Sequence, residues 1–150
     1  MDEIRPWLYI GRYRDTLDKA YLDFKSIQSI LQLAEPIQYP DINTLFLSVD
    51  DLDGTPHPLI RQGVDFILAQ KEIGHRVLVS CGAGINRSTV FCMAALKEVE
   101  GLSLLDAVKD IKRRHPDAMP NQYVWESFCE YYNEPTPYLD VMRLFLFVAF

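Results

Sequence analysis

The sequence predicts an α/β fold: a single domain with a central, mostly parallel or mixed sheet of four or five strands flanked by helices. Short runs rich in Ile, Leu and Val alternate along the chain with longer segments whose apolar residues recur at helical spacing. The chain has 150 residues, 49% hydrophobic and 24% charged, which suffice for one well-buried core. A chain of this length is too short for two domains with separate hydrophobic cores.

Strands are expected at 8–10, 26–33, 44–49 and 77–80. Helices are expected at 16–24, 58–74, 88–99, 103–114 and 122–133. Thr16 and Ser103 are candidate N-caps, and Pro58 suits the first turn of its helix. Helices packed on a sheet in this order give a layered α/β domain.

The most informative segment lies where the last predicted strand meets the next helix. The strand delivers Cys81, a turn containing Gly82 and Gly84 follows, and Arg87 lies at the start of the helix. A loop that curls before a helix turns backbone N–H groups inward, and the helix N-terminus adds partial positive charge. Glycine permits such a curl and a close approach of ligand. The predicted phosphate cradle consists of Gly82, Ala83, Gly84, Ile85, Asn86 and Arg87.

The residue types in this cradle indicate phosphoryl transfer. Arg87 offers a planar fork that can hold two phosphoryl oxygens and stabilise transition-state charge. The same N–H groups, helix dipole and guanidinium favour the thiolate form of Cys81, which could attack phosphorus in line and form a phosphocysteine. The hydroxyl of Ser88 could hydrogen-bond the sulfur and ease its departure.

A departing oxygen also needs a proton, and a carboxyl on a neighbouring loop is the usual donor. Asp50 and Asp51 follow the predicted strand 44–49. If Leu47 and Val49 face the core, Asp51 continues on their side of the chain, so it is the preferred candidate. Asp50 stays open as the alternative.

The run Cys81-Gly-Ala-Gly-Ile-Asn-Arg87-Ser88 resembles the Cys-x5-Arg-Ser signature of cysteine-dependent protein tyrosine phosphatases, and Ala83-Gly84 looks like the dual-specificity branch. Segments 6–11 and 47–51 resemble that branch's opening strand and general-acid loop, and Pro120-Asn121 resembles the loop that supports the cradle. The resemblance implies a phosphatase acting on phosphotyrosine, and through a shallow site also on phosphoserine or phosphothreonine. It also implies Asp51 as the acid.

Two alternatives remain open beside this reading. The family usually has His immediately before the cysteine, whereas this chain has Ser80, so a catalytically weak phospho-residue binding module is one alternative. A phosphoinositide or inositol phosphate phosphatase is the other. The neutral side chains of the loop favour phosphoprotein substrates over such polyanions.

Charge and composition narrow the partners. A net charge of -6 disfavours nucleic acid and anionic membranes as the main partner. His57, His75 and His115 are far apart in sequence, so we expect neither a metal nor a cofactor. Three scattered cysteines indicate a reducing, cytoplasmic setting.

The C-terminal segment is expected to differ from the rest of the chain. Residues 1–135 are predicted to form the catalytic domain, and 136–150 an apolar tail that packs on the domain or lies at an interface. The apolar run is too short for a membrane span, which takes about 20 residues. It could pack on the core, contact another subunit or lie on a membrane surface. The basic run 112–115 is expected to complement the end of its helix.

Overall fold

The computed structural model describes residues 1–148 and contains one five-stranded mixed sheet in the order β1-β2-β5-β3-β4. The strands are β1 Asp2–Arg5, β2 Leu8–Arg12, β3 Ile27–Gln32, β4 Asn43–Phe46 and β5 Arg76–Cys81. The helices are α1 Tyr13–Thr16, α2 Lys19–Phe24, α3 His57–Glu72, α4 Arg87–Glu100, α5 Leu104–Arg114, α6 Gln122–Tyr131 and α7 Tyr138–Val148. The predicted fold class is confirmed.

The strand directions bring the cradle to one edge of the sheet. β2, β5, β3 and β4 are mutually parallel, and only β1 pairs antiparallel, with β2. Arg12 at the end of β2 is paired with Cys81, and Gln32 at the end of β3 is paired with Ser80. The carboxyl ends of three adjacent strands therefore meet at Cys81, a common place for ligand sites in α/β sheets.

The central strand β5 is buried on both faces, as a parallel strand under two helical layers should be. Val77 and Val79 face a large cluster formed with α3, α4, α5 and α6, whereas Leu78 faces a smaller cluster that includes Leu22 and Ile30. The Cys81 side chain lies at the end of this rigid strand and is 2% exposed.

Three local predictions were wrong. β1 was not predicted, because its residues are polar apart from the buried Ile4. Such a composition is typical of an edge strand. Thr16 does not cap the helix that ends at Phe24, because the Asp18 side chain accepts the N–H of Tyr21 and starts α2 there. The strand expected at 44–49 ends at Phe46.

The predicted caps of α5 and α4 are confirmed. The Ser103 hydroxyl accepts the N–H of Asp106, and α4 ends at Gly101 with φ +72°, a left-handed conformation that favours glycine.

Helix α7 contains most of the C-terminal segment and contacts α5 and α6. Val141 is fully buried, and the Tyr138 hydroxyl donates to the Pro120 carbonyl at 2.8 Å. Residues 149 and 150 lie outside the described residues, and the role predicted for 136–150 stays a prediction. Among the helices of the described chain, none combines the length and apolarity needed to cross a bilayer.

Candidate active site

The loop of residues 82–86 joins β5 to α4, and two of its carbonyl groups accept hydrogen bonds from the backbone of other segments. The Gly82 carbonyl accepts the N–H of Tyr13 at 3.3 Å, and the Ile85 carbonyl accepts the N–H of Met119 at 2.9 Å. Within residues 1–148, no turn, loop or side-chain hydrogen bond uses an N–H group of residues 82–86. These amide hydrogens are therefore available to bind an oxyanion.

Two glycines are required by the shape of the loop. Gly84 has φ +70°, and a Cβ there would lie 2.9 Å from the carbonyl oxygen of Gly11, so a side chain is excluded twice over. A Cβ on Gly82 would lie 3.3 Å from Nη2 of Arg87. The missing side chain at residue 82 leaves space for the guanidinium beside the loop.

The sulfur of Cys81 lies 3.1 Å from the hydroxyl oxygen of Ser88. Cys81 ends β5 and Ser88 lies in the first turn of α4, so the rigid strand and the helix fix the two side chains against each other. Both residues are buried. When the sulfur is a thiolate, it can only accept this hydrogen bond, and the Ser88 hydroxyl must donate it.

The guanidinium of Arg87 is anchored on one edge and available on the other. Nη1 donates to the carbonyl oxygens of Leu33 at 3.0 Å and Val49 at 3.2 Å. Nε is buried and has no hydrogen-bond partner within the described residues, although it lies 3.3 Å from Oδ1 of Asp51. That separation supports an ionic contact whose angle does not satisfy the Nε–H, so the edge formed by Nε and Nη2 can still bind an anion.

Asp51 is connected to the cradle through two asparagines. The Asn86 amide donates to both the carbonyl oxygen and Oδ1 of Asp51, each at 2.8 Å, and the Asn121 amide donates to the same carbonyl oxygen at 2.5 Å. Oδ1 of Asn86 in turn accepts the N–H of Asn121 at 2.8 Å. The loop that contains the acid candidates Asp50 and Asp51, called the acid loop below, is therefore hydrogen-bonded to the cradle and to the loop before α6 as one unit.

Asp50 has a different role in its loop. Its Oδ1 accepts the N–H groups of Leu52 at 2.6 Å and Asp53 at 3.1 Å, a local turn that stabilises the carboxylate. These two backbone hydrogen bonds lower the pKa of Asp50 below its ordinary value. Since β4 ends at Phe46, strand parity does not position Asp51, and the contact with Asn86 does so instead. The assignment of Asp51 as the acid stays a prediction.

His115 is the residue at this site that the sequence reading missed. Its Nε2 lies 2.6 Å from the carbonyl oxygen of Gly84, and its Nδ1 lies 2.6 Å from Oδ2 of Asp2. The basic run 112–115 was expected to complement the end of α5, and Lys112 does donate there, to the carbonyl of Pro116. No pattern in the sequence distinguishes His115 from its basic neighbours.

The other two cysteines are not suited to be nucleophiles. Cys92 and Cys129 are free and buried, and burial raises the pKa of both thiols. At neutral pH they remain thiols with little reactivity. Across residues 1–148, no group of three or more His, Cys, Asp or Glu side chains is arranged to hold a metal ion.

The comparisons with known proteins identify the family of the chain. Residues 8–134 match the family model described as dual specificity phosphatase, catalytic domain. The chain belongs to this family, as the sequence predicted. It is 34% identical to dual specificity protein phosphatase 15 of Mus musculus over 124 residues, which cover 81% of this chain and 53% of that protein. The chain thus spans about half the length of this curated relative.

Two solved structures share the fold. The structure of DUSP15 has a TM-score of 0.79 at 30% identity, covering 86% of this chain and 85% of that one. The structure of human DUSP28 has a TM-score of 0.82 at 23% identity, covering 89% of this chain and 96% of that one. At this lower identity the second similarity supports the fold alone.

Proposed function

We propose that this chain is a phosphoprotein phosphatase that hydrolyses phosphate monoesters through a phosphocysteine on Cys81. The observation that supports it most is the convergence of three groups around one loop: the sulfur of Cys81, the hydroxyl of Ser88 and the unanchored edge of the Arg87 guanidinium. The amide hydrogens of residues 82–86 complete a setting for a phosphate dianion.

The first step transfers the phosphoryl group to sulfur. The substrate phosphate binds to the loop amides and to Nε and Nη2 of Arg87, and the Cys81 thiolate attacks phosphorus opposite the leaving oxygen. The S–P bond forms as the P–O bond breaks, and Asp51 gives its proton to the departing oxygen. The anchored guanidinium stabilises the charge on the equatorial oxygens.

The second step returns the enzyme to its starting state. Asp51, now a carboxylate, takes a proton from the attacking water, the new P–O bond forms, and the S–P bond breaks. Inorganic phosphate leaves, and the Ser88 hydroxyl donates its hydrogen bond to the released thiolate of Cys81. Protons and electrons balance without a metal or a cofactor.

The position of Asp51 supports the acid role. Its Oδ1 lies 3.3 Å from Nε of Arg87, on the edge of the guanidinium that is proposed to bind the phosphoryl group. A carboxyl group beside the bound phosphoryl group can give its proton to the departing oxygen.

The surroundings of the cradle favour protein substrates. The segments next to it expose the apolar side chains of Leu52, Ile85, Met119 and Tyr123, while the guanidinium of Arg12, beside Gly84, is directed at Asp15. The acid loop adds the carboxylates of Asp50 and Asp53. Such a rim suits a phosphorylated side chain on a peptide better than a polyanionic inositol phosphate. A rim of this kind admits phosphotyrosine and also phosphoserine or phosphothreonine.

The proposed function predicts turnover of simple phosphate esters. The chain is expected to release phosphate from para-nitrophenyl phosphate and from a phosphotyrosine peptide, and acid quenching during turnover should trap phosphate covalently on Cys81. Mass spectrometry of the quenched protein measures the adduct. A protein that binds the phosphotyrosine peptide but neither releases phosphate nor forms the adduct would be a binding module instead.

Exchanging the two acid candidates separates their roles. Asp51→Asn is expected to lower kcat for a phosphothreonine peptide by about 10²-fold or more, because the poor leaving group needs the proton. The loss should be smaller for para-nitrophenyl phosphate, whose leaving group is good. Asp50→Asn is the matched control and should change kcat little, since the lowered pKa of Asp50 keeps it ionised at neutral pH. Equal losses in the two variants would contradict the assignment of Asp51.

The remaining assignments concern setting and partners. We propose a cytoplasmic setting, supported by the free state of all three cysteines, and no nucleic-acid partner, supported by the net charge of -6. Residues 1–135 are the proposed catalytic domain. The tail 136–150 is proposed to pack on it and to contact another subunit through the exposed side chains of Leu139 and Met142 on α7.

A further inference from the structure

The ring of His115 bridges the cradle and the first strand of the sheet. Its side chain is 9% exposed, and each ring nitrogen lies 2.6 Å from an acceptor: the carbonyl oxygen of Gly84 and Oδ2 of Asp2. A carbonyl oxygen has no proton to give, so Nε2 must donate to Gly84. Nδ1 faces the Asp2 carboxylate, so the ring is held from both sides.

The other charged groups around His115 have partners of their own. Along its own segment, Arg114 pairs with Asp110, and Asp117 follows next to Lys112. On the far side of Gly84 lies the stem of Arg12, whose guanidinium is directed at Asp15.

On the remaining elements, the charges face each other rather than His115. On β1, Arg5 pairs with Glu100 and Asp110. In the site itself, Arg87 faces Asp51. The Asp2 carboxylate is therefore the charged group that holds the ring of His115 in place.

The carbonyl that His115 holds belongs to the peptide unit that also contains the N–H of Ile85. Because a peptide unit is planar, fixing the Gly84 oxygen fixes the direction of the Ile85 N–H on the opposite side. Gly84 has φ +70°, and a glycine can leave this conformation for several others at little cost. The Gly84–Ile85 peptide therefore needs an external restraint.

We propose that His115, held by Asp2, is a positioning residue that orients the Gly84–Ile85 peptide toward the phosphoryl group. The inference rests on the proposed function for its catalytic meaning, because it assigns the orientation of one of the cradle's donors. Without the Nε2–H donor, the Gly84 carbonyl loses its partner at 2.6 Å, and the restraint on the peptide weakens. The affinity of the cradle for an oxyanion then falls.

The test measures binding of tungstate by calorimetry, which needs no turnover. His115→Ala is expected to weaken tungstate binding about tenfold, the effect of losing the hydrogen bond that holds the Gly84 carbonyl. His115→Gln keeps an amide donor for Gly84 and should restore most of the affinity. Asp2→Asn keeps a hydrogen-bonding partner for the ring while Nε2–H still serves Gly84, so it should also keep most of the affinity.

A nuclear magnetic resonance spectrum of the histidine ring nitrogens supplies a direct readout, with Nε2 of His115 expected to carry a proton that is hydrogen-bonded to the Gly84 carbonyl. His75→Gln is the matched control. His75 lies just before the start of β5, at the opposite edge of the sheet from the cradle, and its ring is hydrogen-bonded to the hydroxyl of Ser29. It should leave tungstate binding unchanged.

The inference is overturned if His115→Ala binds tungstate as the wild type does, or if His115→Gln binds it at least about tenfold more weakly than the wild type. If His115→Ala does not fold, His115→Gln and the Nε2–H resonance carry the test. Failure of the proposed function has a different signature, because tungstate binding still responds to these variants while no ester is hydrolysed.

Discussion

Replacing Cys81 by serine is expected to lower kcat/KM for para-nitrophenyl phosphate by about 10⁴-fold or more, as loss of an attacking nucleophile does elsewhere. A serine hydroxyl does not ionise near neutral pH, so the group 3.1 Å from Ser88 can no longer attack phosphorus. The cradle amides and Arg87 are unchanged by the substitution. The variant should therefore still bind a phosphotyrosine peptide, measured by fluorescence anisotropy, without releasing phosphate.

Cys129→Ser is the control for this experiment, because it makes the same replacement at a cysteine outside the site and should keep most of the activity. Alkylation with iodoacetamide at pH 7 gives an independent check. Cys81 should react first, since burial raises the pKa of Cys92 and Cys129 and keeps them as thiols. Equal activity of the wild type and Cys81→Ser would reject the phosphocysteine.

Arg87→Lys should lower kcat/KM by about 10³-fold, the lower end of what removal of a catalytic arginine costs in phosphoryl transfer. Arg87 does two things at once: Nη1 holds the carbonyls of Leu33 and Val49, and the other edge stays available for the phosphoryl oxygens. A lysine ammonium is a single point charge and cannot keep both sets of contacts. Both the affinity for tungstate and kcat should fall.

The matched control is Arg61→Lys on α3, where the guanidinium pairs with Asp65 and Glu98 on the surface. Pairs of this kind contribute little to stability, so activity and the thermal midpoint should stay close to the wild type. Retention of more than about half of the activity in Arg87→Lys would contradict the proposed phosphoryl contacts.

The parallel core of the fold could be predicted from the sequence because its signal is local. The buried strands are short runs of Ile, Leu and Val, and the caps at Ser103 and Gly101 use side-chain chemistry that is visible in the chain. β1 was not predictable on the same grounds, since its pairing with β2 depends on tertiary contact rather than on its own polar sequence. The cap of α2 was misplaced because Thr16 and Asp18 are equally plausible as side chains.

The candidate site also combines contacts that the local sequence encodes with contacts that depend on the tertiary fold. A short loop joins Cys81 at the end of β5 to Arg87 at the start of α4, so the proximity of the two residues follows from the sequence. The contacts of Asp51 with Asn86 and of His115 with Gly84 join residues more than 30 positions apart, and no local pattern encodes such pairs. Asp51 was chosen on a strand parity that β4 does not extend to and on the resemblance to the family pattern, and its assignment as the acid stays a prediction.

The backbone of the acid loop is held against the cradle by the side-chain amides of Asn86 and Asn121. A loop tied down in this way is not expected to swing as a lid, a motion that takes microseconds to milliseconds in enzymes gated by mobile loops. Binding of substrate is expected to need only a rotation of the Asp51 side chain away from the guanidinium, a motion on the picosecond to nanosecond scale. Solvent viscosity should therefore affect the encounter with substrate and the escape of phosphate, and leave the chemical steps between them untouched.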